Sequence, residues 1–88
     1  MNEPLPPKAL VADDEPSIRF VLREALEGAG LEVTDVDSGD AALEALTSER
    51  FDIAFFDVRM PGPSGLELLD HARAVARDTA VVIITAQN

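Results

Sequence analysis

The 88-residue sequence contains no cysteine. Disulfide bridges and thiolate-bound metals are thereby excluded, a composition that suits a reducing compartment. Basic side chains are scarce as well. Seven Lys and Arg stand against seventeen Asp and Glu, for a formal net charge of −10. A surface of that sign repels nucleic acid and anionic lipid, so direct nucleic-acid binding by this segment is not expected. Divalent cations and basic patches on other proteins are the expected partners. No apolar run approaches the roughly 20 residues needed to span a membrane. The opening residues, MNEPLPPK, lack the charged-then-apolar pattern of a secretory signal. Their three prolines predict a short extended tail over residues 1–7. A cytoplasmic protein with no membrane contact is the expectation.

What is present suffices for one folded domain, expected over residues 8–88. The hydrophobic fraction of 47% is that of a globular chain. Residues 8–12, KALVA, read as a short buried strand that stops at Asp13-Asp14-Glu15. Pro16 suits a first helical position. Ile18, Val21, Leu22, Ala25, Leu26 and Ala29 then form one apolar stripe at helical spacing, and Gly28 and Gly30 close that helix. LEVTDV, residues 31–36, reads as a second strand. SGDAALEALTSE is a helix with Ala42, Leu43 and Leu46 turned inward, and DIAFFD is a third strand ending on Asp57. SGLELLDHARAVA is a third helix, whose start is marked by the capping-box spacing of Ser64 and Glu67. AVVIIT, residues 80–85, is a fourth strand. Alternating strands and helices predict an α/β fold, a doubly wound parallel sheet with helices on both faces.

In such a sheet the loops at the carboxyl ends of the strands share one edge, and ligands bind there where strand order reverses. Asp13, Asp14 and Glu15 follow the first strand, Asp57 ends the third, and Thr85 ends the fourth. If strands one and three are neighbours, Asp13, Asp14 and Asp57 converge. Three carboxylates together repel one another, and a hard cation such as Mg²⁺ removes that difficulty. The cluster reads as a magnesium site beside a carboxylate able to attack phosphorus, since aspartyl phosphate is an established covalent intermediate. Thr85 adds a hydroxyl able to bond a phosphoryl oxygen. Taken singly, the acids after the first strand also read as helix-capping residues at a positive dipole end. His71, between Asp70 and Arg73, reads as a solvated surface residue.

The residues VADDE at 11–15, FFDVRMPGPSG at 55–65 and IITA at 83–86 resemble the receiver domain of bacterial two-component response regulators. The resemblance spans residues 8–86. SIRFVLREALEGAG and DVRMPGPSGLELL look most like receivers of activators that work with the alternative sigma factor of nitrogen regulation. It implies a flavodoxin-like fold with strand order 2-1-3-4. It further implies that Asp57 accepts a phosphoryl group from a sensor histidine kinase. Asp14, Asp57 and the backbone carbonyl of Arg59 would hold Mg²⁺, with Asp13 acting through water. Thr85 would be the switch hydroxyl, and Met60-Pro61 and Gly65 would shape the loop. The phosphorylated module would act on an output domain or regulator protein, with transcription as the output expected. It would be a regulatory phosphoacceptor, assisting only its own phosphoryl transfer and dephosphorylation.

The family's pattern continues with a fifth strand bearing a lysine and two more helices, which this sequence does not contain. Lys8, the only lysine, precedes the first strand. A fragment of a longer protein, or self-association of the truncated chain, is therefore expected. Two other functions compete. A magnesium-dependent phosphatase with an aspartyl nucleophile commonly has a general-acid Asp two residues further on, where this chain has Arg59. A degenerate receiver would bind partners without phosphorylation.

Overall fold

The structure, a computed structural model, describes residues 4–84. Seven elements alternate: β1 (Lys8–Ala12), α1 (Pro16–Gly28), β2 (Glu32–Val36), α2 (Gly39–Ser48), β3 (Ile53–Asp57), α3 (Gly65–Val75) and β4 (Ala80–Ile84). Residues 4–7 form no regular element. The four strands make one parallel sheet in the order β2-β1-β3-β4. The expected neighbour relation of the first and third strands holds, with Ala12 opposite Phe56.

The two-residue period of β1 divides the core. Leu10 and Ala12 face one side, where they pack with Ala42 and Leu46 of α2, Leu68 and Ala72 of α3, and Ala54 and Phe56 of β3. Ala9 and Val11 face the other, with Val33 beside them and Leu22 and Leu26 of α1 against them. The small side chains of Ala12, Ala42, Ala54 and Ala72 allow both α2 and α3 to lie close on one face. Phe51 and Phe56 are the largest fully buried side chains, both on that side.

The apolar stripe of α1 is only partly used. Leu22 and Leu26 dock on the sheet, but no residue of α1 is fully buried and Val21 is 61% exposed. Hydropathy fixes which helix positions prefer burial and leaves open how far the helix is covered. On β4, Val81 and Ile83 pack into the larger core, while Val82 points to the α1 side and is exposed. Thr85, expected to end this strand, lies outside the described residues.

Ser64 and Glu67 form the expected capping box at the start of α3. The Glu67 N–H donates to Ser64 Oγ, and the Ser64 N–H donates to Glu67 Oε1 at 2.9 Å. Ser38 caps α2 by accepting from the Ala41 N–H. α1 differs: its N-cap residue Glu15 makes no side-chain capping bond. The Glu15 side chain is thus not spent on starting the helix.

Candidate metal centre

β1 and β3 lie side by side and end at the same edge, so Asp13 and Asp14 meet Asp57 there. One carboxylate oxygen from each of the three lies within 4.8 Å of the others. Asp13 is 3% exposed and Asp57 7%, whereas Asp14 opens to solvent. Two of the charges are therefore nearly desolvated. Among the described residues no ion pair involves any of the three.

The main chain holds the buried acids in place. The Asp13 N–H donates to the Val36 carbonyl at 3.1 Å, which ties the turn to the end of β2. Asp13 Oδ1 accepts the Glu15 N–H at 2.9 Å, an Asx turn that orients the carboxylate. Asp57 Oδ1 accepts the Arg59 N–H at 3.2 Å. Burial raises the pKa of Asp13 above the usual carboxylate range, opposed by the Glu15 N–H and reinforced by the charges of Asp57 and Asp14. Desolvation and like charge penalise the ionised form, and both are relieved by a bound cation. A donor set of carboxylate oxygens, two buried and one exposed, fits a hard divalent ion that keeps some of its waters.

The loop behind Asp57 is gripped at two glycines. A Cβ on Gly65 would come within 2.5 Å of the Asp57 carbonyl oxygen, and the Gly65 N–H donates to the Val58 carbonyl. A Cβ on Gly39, at the start of α2, would come within 2.0 Å of the Pro63 carbonyl oxygen. The Gly39 N–H donates to the Pro61 carbonyl at 3.2 Å. Gly62 takes φ +79°, the left-handed region that favours glycine. Met60 packs against the larger core. Of the residues expected to shape the loop, Met60 packs on the core, the Pro61 carbonyl accepts the Gly39 N–H and Gly65 abuts the Asp57 carbonyl.

Other site expectations resolve by position. Arg59 follows two residues after Asp57 and its side chain is exposed. His71 is exposed on α3. Lys8 pairs with Glu49 and lies over the Phe51 ring at the opposite end of β1, roughly 16 Å away along a five-step strand. Two residues with a part in the site do not stand out in the sequence. One is Gly39. The other is Arg19, whose guanidinium donates to the Asp13 carbonyl at 2.8 Å. Both depend on a register and a loop path that residue types alone do not specify.

Residues 9–88 match the response regulator receiver domain family. The chain is 44% identical over 80 residues to the DNA-binding transcriptional regulator NtrC of Klebsiella pneumoniae, covering 91% of this chain but 17% of that protein. It is 34% identical over 86 residues to sporulation initiation phosphotransferase F of Bacillus subtilis, covering 98% of this chain and 66% of the relative. The response regulator TrrA of Thermotoga maritima, solved in complex with Mg(2+)-BeF, superposes with a TM-score of 0.86 at 36% identity, over 93% of this chain and 71% of that one. TrrA has also been solved in complex with the histidine kinase ThkA. Fold, sequence and the convergence of three acids at one sheet edge agree, and the chain belongs to the response regulator receiver domain family.

Proposed function

We propose that this chain is a magnesium-dependent phosphoacceptor in which Asp57 receives a phosphoryl group from a phosphohistidine of a sensor histidine kinase. The observation that carries the reading is the meeting of Asp13, Asp14 and Asp57 within 4.8 Å, two of them buried. A buried acid cluster without a paired cation is costly, and the cost is justified where it binds a metal and presents a nucleophile.

In the step itself an Asp57 carboxylate oxygen attacks phosphorus. The new O–P bond forms as the bond to the histidine nitrogen breaks, and the departing imidazole keeps the electron pair and is neutralised by a proton. Asp57 is aimed by the end of β3 and by the Arg59 N–H on Oδ1, leaving its other oxygen for attack. Asp14, Asp57 and the Arg59 carbonyl would hold Mg²⁺, and Asp13 would act through a bound water. When bound, the ion neutralises the charge that develops on the transferred oxygens.

Thr85 is the proposed switch hydroxyl. It follows Ile84, which lies opposite Asp57 in the sheet and accepts the Val58 N–H. Addition of phosphoryl charge beside this strand end would shift a two-state equilibrium read by an output domain or regulator protein. The resemblance to NtrC favours transcription as that output.

The TrrA complex suggests the test. Mg²⁺ with beryllium fluoride, which mimics a phosphoryl group on a carboxylate, is titrated while backbone amides are followed. Saturable shifts centred on residues 12–15 and 57–60 are expected, and they vanish in Asp57→Asn. Equal shifts in that variant would contradict the assignment.

A further inference from the structure

We propose that Arg19 is a positioning residue for the acidic site, a brace that ties the turn carrying Asp13 to β2. The inference rests on the metal-site reading above and extends it to a residue outside the cluster. Arg19 lies one turn into α1. One of its guanidinium nitrogens donates to the Asp13 carbonyl at 2.8 Å, and its Nε donates to Asp35 Oδ2 at 3.2 Å. Asp35 belongs to β2 and lies opposite Val11 of β1. One planar side chain thus links α1, the β1–α1 turn and the end of β2.

The link is partly shielded from water. Arg19 is 20% exposed and Asp35 23%, so the bonds are not the fully solvated kind that contribute little. The turn has few other restraints. Asp13 is held by its own N–H on Val36 and by its carboxylate on the Glu15 N–H. Its carbonyl points to Arg19. Without that donor the peptide between Asp13 and Asp14 loses its bond to Arg19, and the turn that carries both carboxylates is held less firmly. Outer partners that orient metal ligands commonly change affinity by about 10–100-fold when removed.

The sign of the effect separates positioning from simple charge. Removing a cation next to three carboxylates should, by electrostatics alone, tighten Mg²⁺ binding. Removing a brace should weaken it. Arg23 supplies the comparison. It shares Asp35 and pairs with Glu27, but it does not touch Asp13.

The experiment measures Mg²⁺ affinity by amide shifts in the 88-residue chain, in Arg19→Met, Arg19→Lys and Arg23→Met. Exchange of the Glu15 amide is measured without metal in the same four proteins. Arg19→Met is expected to bind Mg²⁺ about 10-fold more weakly, with faster Glu15 exchange and a retained fold. Arg19→Lys keeps the charge without the rigid fork and is expected to fall between. Arg23→Met is expected to stay within about twofold of the parent, since Arg23 pairs with Glu27 and Asp35 and makes no bond to the turn that carries the acids. Should Arg19→Met fail to fold, Arg19→Lys decides by the same readouts. Unchanged or tighter binding on loss of Arg19 overturns the proposal, and so does an equal loss in Arg23→Met. If the parent binds no Mg²⁺ at all, the metal-site reading fails instead. The metal-free exchange of Glu15 then decides the brace, and unchanged exchange in Arg19→Met overturns it.

Discussion

Replacing Asp13 by Asn should stabilise the metal-free chain, although it removes a residue of the proposed site. Asp13 is almost wholly buried and its carboxylate lies within 4.8 Å of Asp14 and Asp57 oxygens. Two like charges 4.8 Å apart repel by about 0.9 kcal/mol in a water-like medium and about 3.5 kcal/mol at the effective dielectric of a partly buried site. Asn keeps an oxygen to accept the Glu15 N–H, so the Asx turn survives while the charge is lost. A gain of roughly 1–3 kcal/mol is expected at neutral pH, or about 4–8 °C in Tm for each kcal/mol in a domain of this size. The pH dependence has a definite sign. The Asp13 pKa is raised in the fold from an ordinary 3.8, so the folded chain holds this proton more tightly than the unfolded chain does. Stability from this group is complete below the ordinary value and is lost as pH rises through the raised one. The advantage of Asp13→Asn should therefore open as pH rises above that region and close in acid. Saturating Mg²⁺ should narrow the gap, because a ligand at 100 times its Kd adds about 2.7 kcal/mol to the parent and less to a variant that binds it more weakly. Thermal melts of both proteins, in chelator and in Mg²⁺ across pH 3–8, read all of this. A variant less stable than the parent in chelator at pH 7 would refute the repulsion argument.

Other substitutions probe the frame around the site. Gly39→Ala places a Cβ against the Pro63 carbonyl and should cost roughly 1–3 kcal/mol in denaturant melts, as overpacking does. Gly28→Ala, where an added Cβ meets nothing within 4 Å, should be neutral or add up to about 1 kcal/mol by the same assay. Ser64→Ala removes half of the capping box and should lower stability by about 1 kcal/mol, with hydrogen exchange rising first in the opening turn of α3. Thr85→Ala should leave Asp57 labelling largely intact while weakening output. Equal loss of both would place the hydroxyl in the chemistry.

The residues that were legible in the sequence share a physical cause. KALVA is an apolar run followed by Asp13 and IAFFD one that ends on Asp57, and both are strands whose ends place those acids at the edge that carries the candidate site. Alternation pointed to a parallel sheet, while the order that sets β1 beside β3 and brings those two ends together came from the resemblance. Ser64 and Glu67 were readable because a capping box is a local pattern. Of the capping alternative for the acids after β1, a Glu15 side-chain cap is absent, while the Asp13 carboxylate both accepts the Glu15 N–H and lies in the cluster. Burial along α1 was less legible. Val21 has the spacing of an inward residue and is exposed, because spacing sets a face and tertiary packing sets how much of it is covered. Arg19 was hidden for a similar reason. Its role appears only once the pairing of β1 with β2 sets Asp35 beside the start of α1.

The central claim is that Asp57 is the residue that takes the phosphoryl group. The direct measurement incubates the protein with a small acyl phosphate and Mg²⁺, traps the product with borohydride and maps the modified peptide. One phosphoryl group, labile to base, is expected on Asp57. It should be lost in Asp57→Asn and on chelation of the metal. A phosphoryl group mapped to any other residue, or labelling unchanged in Asp57→Asn, would contradict the account.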